Sequence, residues 1–342
     1  MSTSQYKLAD RPLKQYYEEI ASRIKWNRDN PPDIAYVIGL ARTGTSASLN
    51  VFRGSRIDDI DGVTHPITIG YQIFKAGLRH GMLDWRENPN WNFELPVTPL
   101  FYMKHSIGPY SDEESRYNPL KVFEQMGFPL RKIFPIFLYR DPLDAFASWI
   151  DMWSSIIPRK TLLENFITSS NTLREIREQM KTAGIPYSTL LYESIRDNSP
   201  DETANALFNQ INQRFFEKSR KRVITTEHTT KKWDELETGG LFTDQPTVYE
   251  VPEIDEKVHH DVKAKKSWEY KMKTPDMLAS IVLPEEVKRL EETGIPQIYE
   301  EFRLDCEKTL GIPIKESNSF KSIKEVFTRR SSEGKVMPTN RK

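Results

Sequence analysis

Short apolar runs that alternate with amphipathic segments constrain the fold of this chain more than any other feature. Each run is short and predicts a buried strand, and the residues that follow it show apolar positions at helical spacing. Such alternation predicts an α/β fold in three layers, with a mostly parallel central sheet and helices on both faces. The runs cover residues 34–38, 100–104, 133–139 and 186–192.

The composition excludes several classes of function. The 49 Lys and Arg residues balance 49 Asp and Glu residues, which argues against a nonspecific nucleic-acid binder. The longest apolar stretch has seven residues, far short of the roughly 20 that span a bilayer, so we expect no membrane span. The single cysteine and six histidines show no metal-ligand spacing, which predicts no metal. Residues 1–10 are polar and lack a hydrophobic signal core, so we expect a cytoplasmic protein.

A glycine-containing loop follows the first predicted strand. Residues 39–46, with the sequence GLARTGTS, have the GxxxxG spacing of a P-loop and lead into a predicted helix. Backbone amides and a helix N-terminus together bind a phosphate without a metal. A nucleotide-hydrolysing P-loop carries Lys where this chain has Thr45, and the cation here is Arg42. The alternative interpretation is a strand-to-helix turn whose glycines only relieve backbone strain.

A second candidate anion site follows the strand at residues 133–139. Arg140 comes directly after that strand, Asp141 and Pro142 can begin a helix, and Ser148 lies about two turns into it. Because open α/β sheets bind ligands at the carboxyl ends of their strands, Arg140 and Ser148 could hold a second phosphate. The alternative is an exposed arginine and an ordinary helical serine.

Taken in order, the loop, the RDPLDAFASW segment and the strand end at Leu191-Tyr192-Glu193 resemble sulfotransferases that use 3′-phosphoadenosine 5′-phosphosulfate. The resemblance covers about residues 33–217. It implies that the loop binds the 5′-phosphosulfate and that the second site binds the 3′-phosphate of this donor. The donor-binding residues that it implies are Arg42, Thr43, Gly44, Thr45, Ser46, Arg140, Ser148 and Tyr192.

This chain departs from the family pattern at two places. Many relatives have Ser where Thr43 stands, and both residues supply a hydroxyl and an amide. The C-terminal RKGxxG loop of cytosolic members is absent, and residues 263–268, with the sequence KAKKSW, could replace it or could be a solvated charge run.

The resemblance also implies candidate catalytic residues. Arg42 would stabilise the charge that develops on the departing phosphate. Lys104 and His105 resemble the Lys-x-His of cytosolic members, with Lys104 on the sulfuryl oxygens and His105 as the base that takes the acceptor's proton. Adjacent residues on a strand point to opposite faces, so we expect one of the two to enter the site. The alternative for His105 is a core or surface histidine.

We therefore expect a sulfotransferase that moves a sulfuryl group to a hydroxyl or amine of a small molecule, such as a natural product, or of a carbohydrate. The alternatives are a P-loop nucleotide or small-molecule kinase and a catalytically inactive nucleotide-binding scaffold of the same fold. The expected organisation is a single domain over 1–312 with a core at 33–217, a lid or acceptor-binding insertion at about 218–283, helices at 284–312, and a basic tail at 313–342. The eight basic and three acidic residues from position 315 onward predict a solvated tail.

Overall fold

The computed structural model describes residues 11–82, 91–216, 222–226, 248–249 and 271–333. Its strands are β1 (Ile24–Lys25), β2 (Ile34–Leu40), β3 (Ser55–Asp59), β4 (Thr64–Pro66), β5 (Thr68–Tyr71), β6 (Phe93–Glu94), β7 (Phe101–Ile107), β8 (Ile133–Tyr139), β9 (Ser188–Leu191), β10 (Arg222–Thr226) and β11 (Val248–Tyr249). Its helices are α1 (Leu13–Ser22), α2 (Thr45–Arg53), α3 (Ile73–Met82), α4 (Asp112–Arg116), α5 (Leu120–Gln125), α6 (Pro142–Trp153), α7 (Arg159–Thr182), α8 (Ser194–Asp197), α9 (Pro200–Phe215), α10 (Pro275–Ile281), α11 (Pro284–Glu292), α12 (Ile295–Leu310) and α13 (Ser319–Ser332).

The central sheet runs in the order β11-β5-β7-β2-β8-β9, and every pair of neighbouring strands in it is parallel. Every residue of β2, β7 and β8 is buried. This burial accounts for the apolar runs in the sequence, because parallel strands covered on both faces need apolar residues at every position. The predicted α/β fold with a mostly parallel central sheet is confirmed. Two small sheets accompany it, β1-β6 and the antiparallel β10-β3-β4.

Helices pack on both faces of the central sheet. On one face, Phe52 of α2 contacts the ring of Tyr102 with centroids 4.4 Å apart. On the other face, the ring of Tyr36 contacts Phe74 of α3 and Phe123 of α5. The chain therefore leaves β2 over one face and leaves β7 over the other. Neighbouring strands whose connections diverge in this way open a crevice at their carboxyl ends, which is where open α/β sheets bind ligands.

The C-terminal region differs from the prediction. Residues 319–332 form α13, in which Ile323, Val326 and Phe327 are buried. The guanidinium of Arg330 donates to the carbonyl of Ala279 in α10, so α13 is attached to that helix. The prediction of a solvated tail is wrong for this segment, because its apolar residues recur at helical spacing among the basic ones.

Most of the predicted insertion at 218–283 lies outside the described residues, and so does the KAKKSW segment at 263–268. The described parts of the insertion are β10, β11 and residues 271–283. No helix in the described part of the chain has both the length and the apolar character needed to cross a membrane.

Candidate functional site

The loop between β2 and α2 has four residues and two left-handed backbone positions. Arg42 has φ 69° and Gly44 has φ 101°, and Gly44 is the N-cap residue of α2. Gly44 has no side chain that could cap the helix, so the first amides of α2 lack both a cap from this residue and an intrahelical acceptor. A non-glycine residue with positive φ is strained, and such strain clusters at functional sites. The start of α2 is therefore suited to an anion.

The hydroxyl groups around this loop have different partners. Thr43 Oγ1 donates to the carbonyl of Leu40 at 2.7 Å, which closes the turn from within. Thr45 Oγ1 shares a 3.0 Å hydrogen bond with Ser106 Oγ at the end of β7. Lys104 Nζ donates to Ser46 Oγ at 2.9 Å, which places a cation beside the first turn of α2.

Arg42, Arg140 and Ser148 form one hydrogen-bonded group. Arg42 Nε donates to Ser148 Oγ at 3.1 Å, and Arg140 Nη1 donates to the carbonyl of Arg42 at 3.2 Å. Burial and the neighbouring charge of Arg140 lower the pKa of Arg42. The two guanidinium groups therefore repel each other in a partly buried site, and an anion between them would relieve that repulsion.

The guanidinium of Arg140 is held on several sides. Its Nη2 donates to the carboxylate of Asp144 and, at 2.7 Å, to the carbonyl of Lys271. Its carbon Cζ lies 4.6 Å from the centroid of the Tyr192 ring. Its Nε is buried and has no hydrogen-bond partner among the described residues. A buried donor without an acceptor is costly, so this N–H indicates a place for a ligand.

Tyr192 joins the loop to the second site. A Cβ built on Gly44 would lie 2.8 Å from Tyr192 Cδ2, so the ring packs directly against the glycine at the start of α2. Burial raises the pKa of Tyr192, and the nearby Arg140 opposes that shift. The same ring therefore contacts the helix N-terminus and the guanidinium of Arg140.

Lys104 and His105 lie on opposite faces of β7, as strand alternation predicts. His105 is 1% exposed, and its ring lies 5.2 Å from that of Tyr117. Burial first, and then the charges of Lys75 and Arg79, lower the pKa of His105 well below its usual range. His105 is buried on the face of β7 opposite Lys104, which fits the alternative of a core histidine, so the prediction of His105 as the base is withdrawn.

Two residues at the second site, Asp144 and Lys273, did not come from the sequence, whereas Glu193 belongs to the strand end that carries the resemblance. Asp144 is fully buried beside Arg140, and Lys273 Nζ lies 3.6 Å from Asp144 Oδ1. Glu193 Oε1 accepts a 3.0 Å hydrogen bond from the amide of Asp141. Burial and the charge of Asp141 raise the pKa of Glu193 to about 8. Arg140 and Asp144 are four residues apart, across the start of α6, so the sequence places them close together, whereas no local pattern indicates Lys273.

No protein-family model matches this chain, and no curated protein shows significant similarity to it. The geometry of the site is therefore the basis for the function proposed below.

Proposed function

We propose that this chain is a sulfotransferase that uses 3′-phosphoadenosine 5′-phosphosulfate as its donor. The observation that carries the proposal is the joining of Arg42, Arg140 and Ser148 into one hydrogen-bonded group at the carboxyl ends of two neighbouring strands. The donor has phosphate groups at the 3′ and 5′ positions of the ribose of one adenosine. The site has two cationic positions at the carboxyl end of the sheet, and one of them lies beside a helix N-terminus. This arrangement matches the distribution of charge on the donor.

The loop would hold the 5′-phosphate end of the donor. The first amides of α2 would donate to it, and Ser46 would add a hydroxyl beside the Lys104 ammonium. Transfer breaks the bond between sulfur and the bridging oxygen and forms a new bond between sulfur and the acceptor atom. Negative charge then develops on the departing phosphate, where the guanidinium of Arg42 would stabilise it. The acceptor loses one proton, and the second product is adenosine 3′,5′-bisphosphate.

The second site would hold the 3′-phosphate. Arg140 Nε is a buried donor that has no partner within the described part of the chain, and Ser148 Oγ accepts its hydrogen bond from Arg42. Tyr192 packs against Gly44 and under the guanidinium of Arg140, so it would fix the distance between the two anion positions. Lys104 lies on the loop side of β7 and would act on the equatorial sulfuryl oxygens. Because His105 is buried in the core, no side chain is assigned as the base that takes the acceptor's proton.

Thermal-shift measurements with two nucleotides test the proposal against its alternatives, because a ligand that binds the folded state raises the melting temperature. We expect adenosine 3′,5′-bisphosphate to stabilise the protein and ATP with Mg²⁺ to have a much smaller effect. The reverse order would favour the kinase. A separate assay follows the transfer of labelled sulfuryl groups from the donor to water or to a panel of phenols, alcohols, amines and sugars. If the bisphosphate stabilises the protein but no sulfuryl group is transferred, the result would favour the inactive scaffold.

A matched pair of arginine variants controls this experiment. Arg140→Ala removes a cation from the second site, whereas Arg116→Ala removes a surface cation that is 58% exposed and pairs with Asp112. We expect the first substitution to abolish most of the stabilisation by the bisphosphate and the second to leave it unchanged. Equal responses of the two variants would count against the second anion site.

A further inference from the structure

A buried ionic cluster lies outside the site described above. Lys75 and Arg79 of α3 face Glu114 of α4, with Lys75 Nζ 3.4 Å from Glu114 Oε2 and Arg79 Nε 2.8 Å from Glu114 Oε1. Lys75 is 5% exposed and Glu114 is 3% exposed. Buried ion pairs can often be replaced by apolar residues without loss of stability, so stability alone does not explain why a lysine is buried here.

The ammonium of Lys75 does more than pair with Glu114. Its Nζ donates to the carbonyl of Ser106 at 2.7 Å and also to the carbonyl of Gly108. A lysine has three N–H donors, so two of them bind the backbone at the end of β7 while the third faces the carboxylate. Lys75 therefore fixes the conformation of the chain where β7 ends.

That same stretch supports the loop between β2 and α2 at both of its ends. At one end, the amide of Ala41 donates to the carbonyl of Ile107 at 3.1 Å. At the other end, Thr45 Oγ1 shares its 3.0 Å hydrogen bond with Ser106 Oγ. Arg42 lies between these two anchored positions.

Gly108 provides an additional link to the loop. It has φ 66°, and a Cβ built on it would lie 2.5 Å from Trp149 Cη2, so only glycine allows this approach. Trp149 Nε1 donates to the carbonyl of Ala41 at 2.6 Å. A shift of the backbone at Gly108 would therefore displace the indole that holds the start of the loop.

We infer that Lys75 is a positioning residue for the loop at residues 41–45 and, through it, for the 5′-phosphate of the donor. This inference rests on the proposed function. Lys75 acts on the loop through its bonds to Ser106 and Gly108. Displacements of about 1 Å at a reacting centre can cost two orders of magnitude in rate, so the precision of the loop matters.

Calorimetric titration with two nucleotides tests the inference, because the bonds of Lys75 to Ser106 and Gly108 act on the loop at residues 41–45 first and on Arg140 only through that loop. The change is Lys75→Met, which keeps the length of the side chain and removes the ammonium. We expect the Kd for adenosine 3′,5′-bisphosphate to rise about tenfold, and the Kd for adenosine 3′-monophosphate to stay within about twofold. A merely structural role would weaken both ligands equally.

Arg303→Met is the matched control. Arg303 is a buried cation of α12 that pairs with Glu300 and Glu307 and donates to the carbonyl of Ile314 at 2.9 Å, so, like Lys75, it combines ion pairing with a bond to a backbone carbonyl, at a place remote from the loop in the sequence. We expect this variant to lower the melting temperature without changing the ratio of the two Kd values. Measurements are made below the melting temperature of each variant.

A milder variant keeps the inference testable if Lys75→Met does not fold. Ser106→Ala removes the hydroxyl that bonds Thr45 and leaves the carbonyl that Lys75 holds, and it should raise the bisphosphate Kd about threefold, with the same selectivity. If the wild-type protein binds the bisphosphate and the ratio of the two Kd values is unchanged in Lys75→Met, the positioning role alone is overturned. If Lys75→Met does not fold, an unchanged ratio in Ser106→Ala has the same meaning. Absence of binding by the wild-type protein would overturn the proposed function, and this inference with it.

Discussion

At the scale of single residues, the two arginines of the site have different surroundings. Arg42 lies in a strained loop at the start of a helix and bonds Ser148, whereas Arg140 is held between the Asp144 carboxylate and the Tyr192 ring. If the proposed function holds, Arg42 lies beside the charge that changes during sulfuryl transfer, and Arg140 lies beside the 3′-phosphate, whose charge stays constant. Their substitutions should have different effects.

We predict that Arg42→Ala lowers turnover by about two orders of magnitude, because one preorganised donor to the developing charge is lost. The affinity for adenosine 3′,5′-bisphosphate should be partly retained. Arg140→Ala should mainly raise the Kd of the bisphosphate, by about tenfold or more. Release of labelled sulfuryl groups and calorimetry measure the two quantities separately. Unchanged turnover in Arg42→Ala would contradict the mechanism.

Glu193 predicts a pH dependence of stability. Its pKa of about 8 lies above the value of an exposed glutamate, so the folded state holds a proton that the unfolded state releases from pH 4.5 upward. This contribution to stability is fully present below about pH 4.5 and is lost as the pH rises towards 8.

Glu193→Gln should remove this dependence, since the amide keeps an oxygen for the Asp141 amide and cannot ionise. At pH 8 the variant should be more stable than the wild type, by on the order of a few kcal/mol at most, and the difference should shrink towards pH 4.5. Melting temperatures from pH 5 to 8.5 measure it. Glu292→Gln, at a glutamate side chain that is 55% exposed, is the control and should follow the wild type. Parallel curves for Glu193→Gln and the wild type would refute the prediction.

At the scale of elements, α13 shows why a basic segment is not necessarily a solvated one. Its buried residues Ile323, Val326 and Phe327 lie on one face, while Arg329 and Arg330 reach Asp276 at the start of α10. Just before α13, Ser317 Oγ donates to the carboxylate of Asp141. The C-terminal helix is thus connected to α10 and to the residue that caps α6.

We predict that Phe327→Ala lowers the free energy of unfolding by about 2–4 kcal/mol, because it leaves a cavity between packed helices. Leu304→Ala removes an apolar side chain that is 53% exposed and should change the free energy by less than about 0.5 kcal/mol. Urea denaturation compares the two variants. A Phe327→Ala protein as stable as the Leu304→Ala protein would show that the helix does not pack in solution.

The elements also show how much of the structure the sequence could predict. The strands β2, β7 and β8 could be predicted because burial on both faces leaves a continuous apolar run. The position of Lys104 beside the loop and of His105 on the other face follows from the alternation of side chains along a strand. Which of the two faces carries the site depends on where α2 packs, and that is a tertiary property.

The contacts of Lys271 and Lys273 could not be predicted. Lys271 and Lys273 lie about 130 positions along the chain from Arg140 and Asp144, and no periodicity in the sequence indicates that they are close in space. The role of Lys75 is hidden for the same reason, because its partners at Ser106 and Gly108 are backbone carbonyls, which every residue has. Local patterns find elements and loops, whereas the groups that position a loop become visible only after the chain is folded.

At the scale of the whole molecule, the proposed function requires two anion positions at the carboxyl end of the central sheet, contributed by the ends of β2 and β8. Each phosphate that forms charge-assisted hydrogen bonds should add at least about 1.5 kcal/mol, which is about tenfold in affinity. A ligand with both phosphates should therefore bind much more tightly than a ligand with one.

Calorimetric titration of the wild-type protein with adenosine 3′,5′-bisphosphate, adenosine 3′-monophosphate and adenosine 5′-monophosphate measures this directly. The account predicts that the bisphosphate binds at least about tenfold more tightly than either monophosphate. Equal affinities for the bisphosphate and one of the monophosphates would mean that only one anion position exists, and that result would contradict the central claim.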